Sequence, residues 1–186
     1  MIELTGLTKR YRARVAVDDL TVRVLPGRVT GFLGPNGSGK TTTMRCVLGL
    51  TRPTAGTATV LGRHYRELAQ PMRTVGALID PRARHPRRSA RDHLLALAQS
   101  NALPADRVEA VVELVGLESV AAQRVGGFSL GMGQRLGIAV ALLGDPEVLL
   151  FDEPVNGLDP DGIRWVRGLL RDLAAEGRTV LVSSHL

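Results

Sequence analysis

Gly34-Pro35-Asn36-Gly37-Ser38-Gly39-Lys40-Thr41 decides the reading of this chain. It fits Gly, four residues, Gly-Lys-Thr, the pattern of a loop that cradles phosphate. Val29 to Leu33 is an apolar run that predicts a buried strand before it, and Thr41 to Leu48 predicts the helix after it. Glycines let the backbone curl so that successive N–H groups point at phosphate oxygens. The helix N-terminus adds about half a positive charge at the same place. Lys40 supplies a point charge for the β- and γ-phosphates, the Thr41 hydroxyl suits Mg²⁺, and Thr42 completes the cradle. Lys occurs only at positions 9 and 40 among 24 basic residues, which argues against compositional drift at this one demanding position. The bland alternative is a Gly-rich turn that happens to fit. The sequence predicts binding of a nucleoside triphosphate.

The 186 residues suffice for one domain with a sizeable core, or for part of one. Hydrophobic content of 44% and charged content of 23% are ordinary for a globular protein, and 3% aromatic residues make the core aliphatic. A net charge of +6 raises nucleic acid or anionic membrane as partners. The excess is Arg scattered among Ala and Gly, which a GC-rich coding sequence produces equally well, and no nucleic acid partner is expected. Cys46 stands alone, so neither an intrachain disulfide nor a Cys-based metal site is available. Glu3, Lys9 and Arg10 interrupt any N-terminal apolar stretch, and no run approaches the roughly 18 apolar residues of a membrane span. A cytoplasmic location is expected, with any membrane role reached through a partner.

Ile2 to Leu7 and Val15 to Leu25 predict strands leading into the loop, with Tyr11 between them. That tyrosine either stacks on an adenine ring or covers a strand edge. Thr57 to Leu61 and Val75 to Ile79 predict further strands, the second closed by Asp80-Pro81. Arg82-Ala83-Arg84-His85-Pro86-Arg87-Arg88 is basic and broken by proline, hence an exposed loop, most simply a solvated face. Ser89 and Asp92 mark a capping box for a helix over Ala90 to Ser100, and Pro104 opens another through Val115. Helices from Gly131 to Leu143 and Pro160 to Ala175 alternate with strands at Val148 to Phe151 and Thr179 to Val182. Continuous apolar strands alternating with helices indicate a parallel sheet covered on both faces. The helices from about 80 to 135 interrupt that alternation. They are expected to form an inserted subdomain, leaving 1–79 and 136–186 as the nucleotide-binding core.

Hydrolysis of a bound triphosphate needs a carboxylate near Mg²⁺ and a group to position the attacking water. Asp152, ending an apolar strand, suits the first role, and Glu153 directly after it suits the general base. Each alone reads as a surface carboxylate after a strand; the phosphate loop upstream favours chemistry. His185 ends the final strand behind Ser183-Ser184, where a lone histidine is ordinarily structural.

Together these stations resemble one family from Ile2 to Leu186: the ATP-binding cassette (ABC) ATPases that power membrane transporters. The phosphate loop is similar to their Walker A, and Leu149-Leu150-Phe151-Asp152-Glu153-Pro154 resembles Walker B with its catalytic glutamate. Asn156-Gly157-Leu158-Asp159 resembles the D-loop, His185 the switch histidine at the γ-phosphate, and Tyr11 the aromatic that stacks on adenine. The family signature, Leu-Ser-Gly-Gly-Gln, stands altered as Phe128-Ser129-Leu130-Gly131-Met132, in a register fixed by Gln134-Arg135, Ile138-Ala139 and Asp145-Pro146. Ser129 and Gly131 keep the hydroxyl and the close backbone approach; Leu130 and Met132 replace a Gly and the Gln. The family's glutamine after the Val75–Ile79 strand is replaced by Asp80, an oxygen ligand that keeps Mg²⁺ sensing available. Both departures resemble the bacterial antibiotic- and multidrug-export branch, such as the bacitracin-type ATPases.

The resemblance implies an α/β P-loop NTPase (RecA-like) fold: a parallel-sheet core, an N-terminal antiparallel β part, an inserted helical subdomain, and a C-terminal end cut short at Leu186. It implies an ATPase using ATP and Mg²⁺, paired head-to-tail so that one subunit's loop and another's Ser129 and Gly131 hold the same ATP. The partners implied are a second ATPase subunit, in a homodimer or heterodimer, and an integral-membrane permease. Docking of that permease near Asp80 to Arg91 would hold the chain on the inner face of the membrane, and the basic loop could meet the permease or anionic lipid headgroups. Two rival readings stand beside this one. A soluble cassette ATPase is disfavoured by the single cassette without a heptad run, and a truncated copy would bind ATP without turnover.

Overall fold

The chain is described over residues 1–185 by a computed structural model. Val- and Thr-rich alternation gives an antiparallel pair, β1 (Ile2–Tyr11) and β2 (Arg14–Val24). The chain then enters a second sheet as β3 (Arg28–Leu33), forms α1 (Lys40–Val47), and returns to the first sheet as β4 (Ala55–Val60), giving the order β2-β1-β4. β1 runs past Leu7, so Tyr11 lies in the strand opposite Arg14 rather than between strands. The backbone ladder continues there across polar side chains, and Arg12 makes the turn in the left-handed region at φ 52°.

A short helix, α2 (Pro71–Thr74), leads into β5 (Val75–Leu78). Three helices follow: α3 (Ala90–Ser100), α4 (Asp106–Leu114) and α5 (Leu130–Leu142). Then come β6 (Val148–Phe151), the long amphipathic α6 (Pro160–Ala175) and β7 (Thr179–Ser184). The second sheet is parallel throughout, in the order β3-β7-β6-β5.

β6 shows why its strand reads as an unbroken apolar run. Leu149 and Phe151 face a core shared with α3 to α6, while Val148 and Leu150 face one shared with α1 and the antiparallel sheet. Successive side chains alternate faces, and both faces are covered. The helical layer packs on the sheet as one core, with α5 unbroken across position 135. At Gly76 of β5 an added Cβ would stand 1.9 Å from the Ala141 carbonyl of α5, so only glycine permits that approach.

His93 on α3 is 8% exposed, and its Nδ1 has no hydrogen-bond partner. Burial first, then the charges of Arg88, Arg84 and His85, hold its protonation below the usual value of 6.5. The unfolded chain therefore takes up a proton that the folded chain resists. Stability is present above pH 6.5 and is lost as pH falls below it. The melting temperature of the parent is expected to drop on acidification through that window, and His93→Leu to flatten the drop. Equal acid sensitivity of the two proteins would remove His93 from the account.

Candidate functional site

β3 delivers the chain to the glycine-rich loop, and α1 begins at Lys40 directly behind it. Gly39 is held at φ 94°, and an added Cβ would lie 2.1 Å from the Ala16 carbonyl of β2. No other residue fits there. Lys40 is 6% exposed. Its ammonium donates to the carbonyls of Gly34 (2.6 Å) and Pro35 (3.1 Å) and stands 3.6 Å from Glu153 Oε1. These contacts offset the cost of burying the charge.

β6 and β7 end side by side, with Phe151 opposite Val182, so Asp152 and Ser183 emerge together. Thr41 Oγ1 donates to Asp152 Oδ2 (2.5 Å), and Ser183 Oγ donates to Asp152 Oδ1. Glu153 turns the chain at φ 50°, a left-handed conformation costing a side chain roughly 1–2 kcal/mol. The turn is held from both sides. The Glu153 N–H donates to Ser183 Oγ (2.9 Å), and its carbonyl accepts from Gln134 Nε2 (3.3 Å). The carboxylate is thereby aimed inward. Its Oε2 lies 2.8 Å from His185 Nδ1, while Oε1, buried and facing Lys40, has no hydrogen-bond partner.

Lys40, Thr41, Asp152 and Glu153 line a cavity of about 400 Å³ that also takes in Tyr11. Tyr11 is 47% exposed, and the Lys9 ammonium stands 4.9 Å from its ring centre, a cation–π contact. The same ammonium donates to the Arg52 carbonyl (2.8 Å). Arg14, opposite Tyr11 on β2, donates to the Gly37 carbonyl (3.1 Å) and ties the strand to the loop. The cavity couples a flat ring at one end to an anion cradle and a carboxylate at the other. Thr41 Oγ1 and Asp152 Oδ2 are hard oxygen donors in contact, a pair that fits Mg²⁺ alongside phosphate oxygens. Among the described residues no cluster of His, Cys, Asp and Glu could hold a metal without such help.

A family model described as ABC transporter matches residues 17–156. The chain belongs to the ABC transporter family. Over its whole length it is 42% identical to the bacitracin transport ATP-binding protein BcrA of Bacillus licheniformis, spanning 62% of that protein. It is 33% identical to the lantibiotic transport ATP-binding protein SrtF of Streptococcus pyogenes, spanning 80% of it. All of its fold superimposes on the solved dimeric structure of MJ0796, a bacterial ABC transporter cassette, with a TM-score of 0.91 at 24% identity over 88% of that chain. The family and fold class read from the motifs are borne out, with bacitracin-type proteins among the relatives.

The cassette motifs are placed unequally. Tyr11, Asn36, Gly37, Gly39, Lys40, Thr41, Thr42, Asp152 and Glu153 share the cavity, Gly34 and Pro35 hold Lys40, and His185 joins through Glu153. Ser38 closes the loop, its N–H donating to the Pro35 carbonyl (3.2 Å). Asp80 lies elsewhere. Its Oδ1 accepts from the Arg82 N–H (2.8 Å), and it lines a separate cavity of about 420 Å³ with His93 and Arg84 between β5, α3 and α5. Ser129 caps α5, accepting from the Met132 N–H (3.2 Å), and neither it nor Gly131 lines the nucleotide cavity of its own chain. The altered Leu130 rests where any Cβ at Gly157 would come 2.0 Å from its Cδ2, so the D-loop glycine makes room for it. Sequence reasoning missed Arg14, Gln134 and Ser183 as site residues. The signal for Ser183 was a hydroxyl between an apolar strand and His185; nothing local marked Arg14.

Proposed function

We propose that this chain binds and hydrolyses ATP as the nucleotide-binding subunit of a transporter that exports a drug or antibiotic-like substrate through a separate membrane permease. The observation that carries the reading is Glu153, whose buried Oε1 has no hydrogen-bond partner and is held 3.6 Å from Lys40 by a strained but doubly anchored backbone. With ATP in the cavity, its base lies on Tyr11 and its phosphates in the loop. Lys40 exchanges the Gly34 and Pro35 carbonyls for phosphate oxygens. Glu153 Oε1 then accepts a proton from the attacking water while His185 Nδ1 steadies Oε2. Thr41 and Asp152 are the residues that would hold Mg²⁺, whose charge offsets that on the phosphates. Asp80 reaches such a site only if residues 80–84 rearrange.

Export of an antibiotic-like compound is supported by the bacitracin and lantibiotic transport proteins among the relatives. Ser129 and Gly131, remote from their own cavity, support a second cassette that supplies them in trans, in a homodimer or heterodimer. A permease bound to the helical layer of residues 80–135, near Asp80 to Arg91, would place the chain on the cytoplasmic face of the membrane.

The test is steady-state hydrolysis of Mg-ATP across a range of protein concentrations. Turnover per chain should rise with concentration as two copies share each nucleotide. Turnover independent of concentration would sink the shared site, and absence of turnover at every concentration would sink the ATPase reading.

A further inference from the structure

Outside the nucleotide site, a basic surface lies on a two-stranded ribbon of irregular backbone. Residues 86–91 run antiparallel to 121–126, with Ser89 bridged to Arg124. The Gly126 N–H donates to the Pro86 carbonyl (2.9 Å), Val125 to Arg88 (2.9 Å), Ala90 to Gln123 (3.3 Å) and Arg91 to Ala121 (3.0 Å). Gly126 allows the approach, since its Cβ would lie 2.8 Å from the Pro86 carbonyl oxygen. The ribbon is therefore fixed, and its arginines project from a set backbone.

The arginines divide by partner. Arg82 pairs with Asp80 (3.8 Å), Arg91 pairs with Glu109 (2.8 Å), and Arg84 turns inward to donate to the Pro81 carbonyl. Arg87, Arg88 and Arg124 are exposed, and among the described residues no ion pair includes them. Of the three, Arg88 also acts inward, adding with Arg84 and His85 to burial in opposing protonation of His93.

We propose that Arg87, Arg88 and Arg124 form a contact surface for an anionic lipid bilayer, on the same stretch of surface as the permease contact near Asp80 to Arg91. Three unneutralised guanidinium groups on a rigid ribbon suit a broad, laterally mobile array of phosphates. Nucleic acid is less favoured, because no Phe, Tyr or Trp, the usual stacking platforms, falls between positions 82 and 127. Membership of a transporter family supplies the occasion for meeting a membrane.

The experiment is sedimentation of the full chain with vesicles that contain no permease, so its outcome is independent of the permease reading. Binding should occur with phosphatidylglycerol mixed into phosphatidylcholine, be absent with phosphatidylcholine alone, and weaken with salt. Each arginine contributes about fivefold, so Arg87→Ser/Arg88→Ser/Arg124→Ser should weaken binding on the order of a hundredfold. Arg164→Ser/Arg167→Ser/Arg171→Ser removes the same charge from exposed positions on α6 and should bind as the parent does. Should the first triple variant fail to fold, single Arg87→Glu serves in its place. Equal loss in both triple variants, unchanged binding in the ribbon variant, or no vesicle binding at all would overturn the proposal. Tight binding of a poly(U) oligonucleotide that displaces the vesicles would overturn it in favour of nucleic acid.

Discussion

Glu153→Gln is expected to leave ATP bound and lower its hydrolysis by about 10²–10⁴-fold, the usual contribution of a positioned base. The substitution keeps the side chain's shape, and the backbone anchors from Ser183 and Gln134 do not involve the carboxylate. What disappears is the ability of Oε1 to accept a proton beside Lys40. Single-turnover hydrolysis, measured next to equilibrium ATP binding, separates the two effects. The variant should also be captured as a dimer by ATP on a sizing column and remain monomeric in ADP, because the step that reopens the pair is blocked. Normal turnover in Glu153→Gln would strip the residue of its role. Lost turnover together with lost binding would instead mean that the charge helps to organise the loop.

Much of this arrangement was legible because the signals are local. Ser89 predicts the start of α3 through a hydroxyl that accepts from the Asp92 N–H (3.0 Å), a bond spanning three residues. The apolar run Val148 to Phe151 and the amphipathic pattern from Pro160 to Ala175 predict β6 and α6 at their observed limits. The unread parts depend on residues far apart in the chain. Tyr11 belongs to β1 because Arg14 pairs with it across a turn, not because of its own surroundings in sequence. Ser183 becomes a site residue only when β7 settles beside β6, and Gln134 only when α5 reaches the Glu153 carbonyl. Asp80 is held within its own loop and does not line the nucleotide cavity. Its place after β5 matches a family position, yet its carboxylate is taken up by the backbone of its own loop. Buried residues of α3 and α4 belong to the same hydrophobic cluster as α5, β6 and α6.

Lys40→Ala is expected to lower turnover by about 10²–10³-fold, the scale for losing one preorganised charge at a developing anion, and to weaken Mg-ATP binding as well. The two losses together distinguish it from Glu153→Gln. The free protein explains why both should appear. Lys40 is already fixed by the Gly34 and Pro35 carbonyls, so little side-chain freedom is lost when phosphate oxygens replace them. It also faces Glu153 Oε1, and its removal leaves that buried oxygen without its neighbouring cation. Lys40→Met isolates the charge, because it keeps an unbranched stem of similar length. Lys40→Arg tests shape, because a planar fork does not fit a position that is 6% exposed and closed by two carbonyls. All three variants should fail in turnover, and calorimetric titration with Mg-ATP should show weakened binding in each. A Met variant that binds and hydrolyses like the parent would show that the ammonium is dispensable, and the phosphate-loop assignment would fall with it.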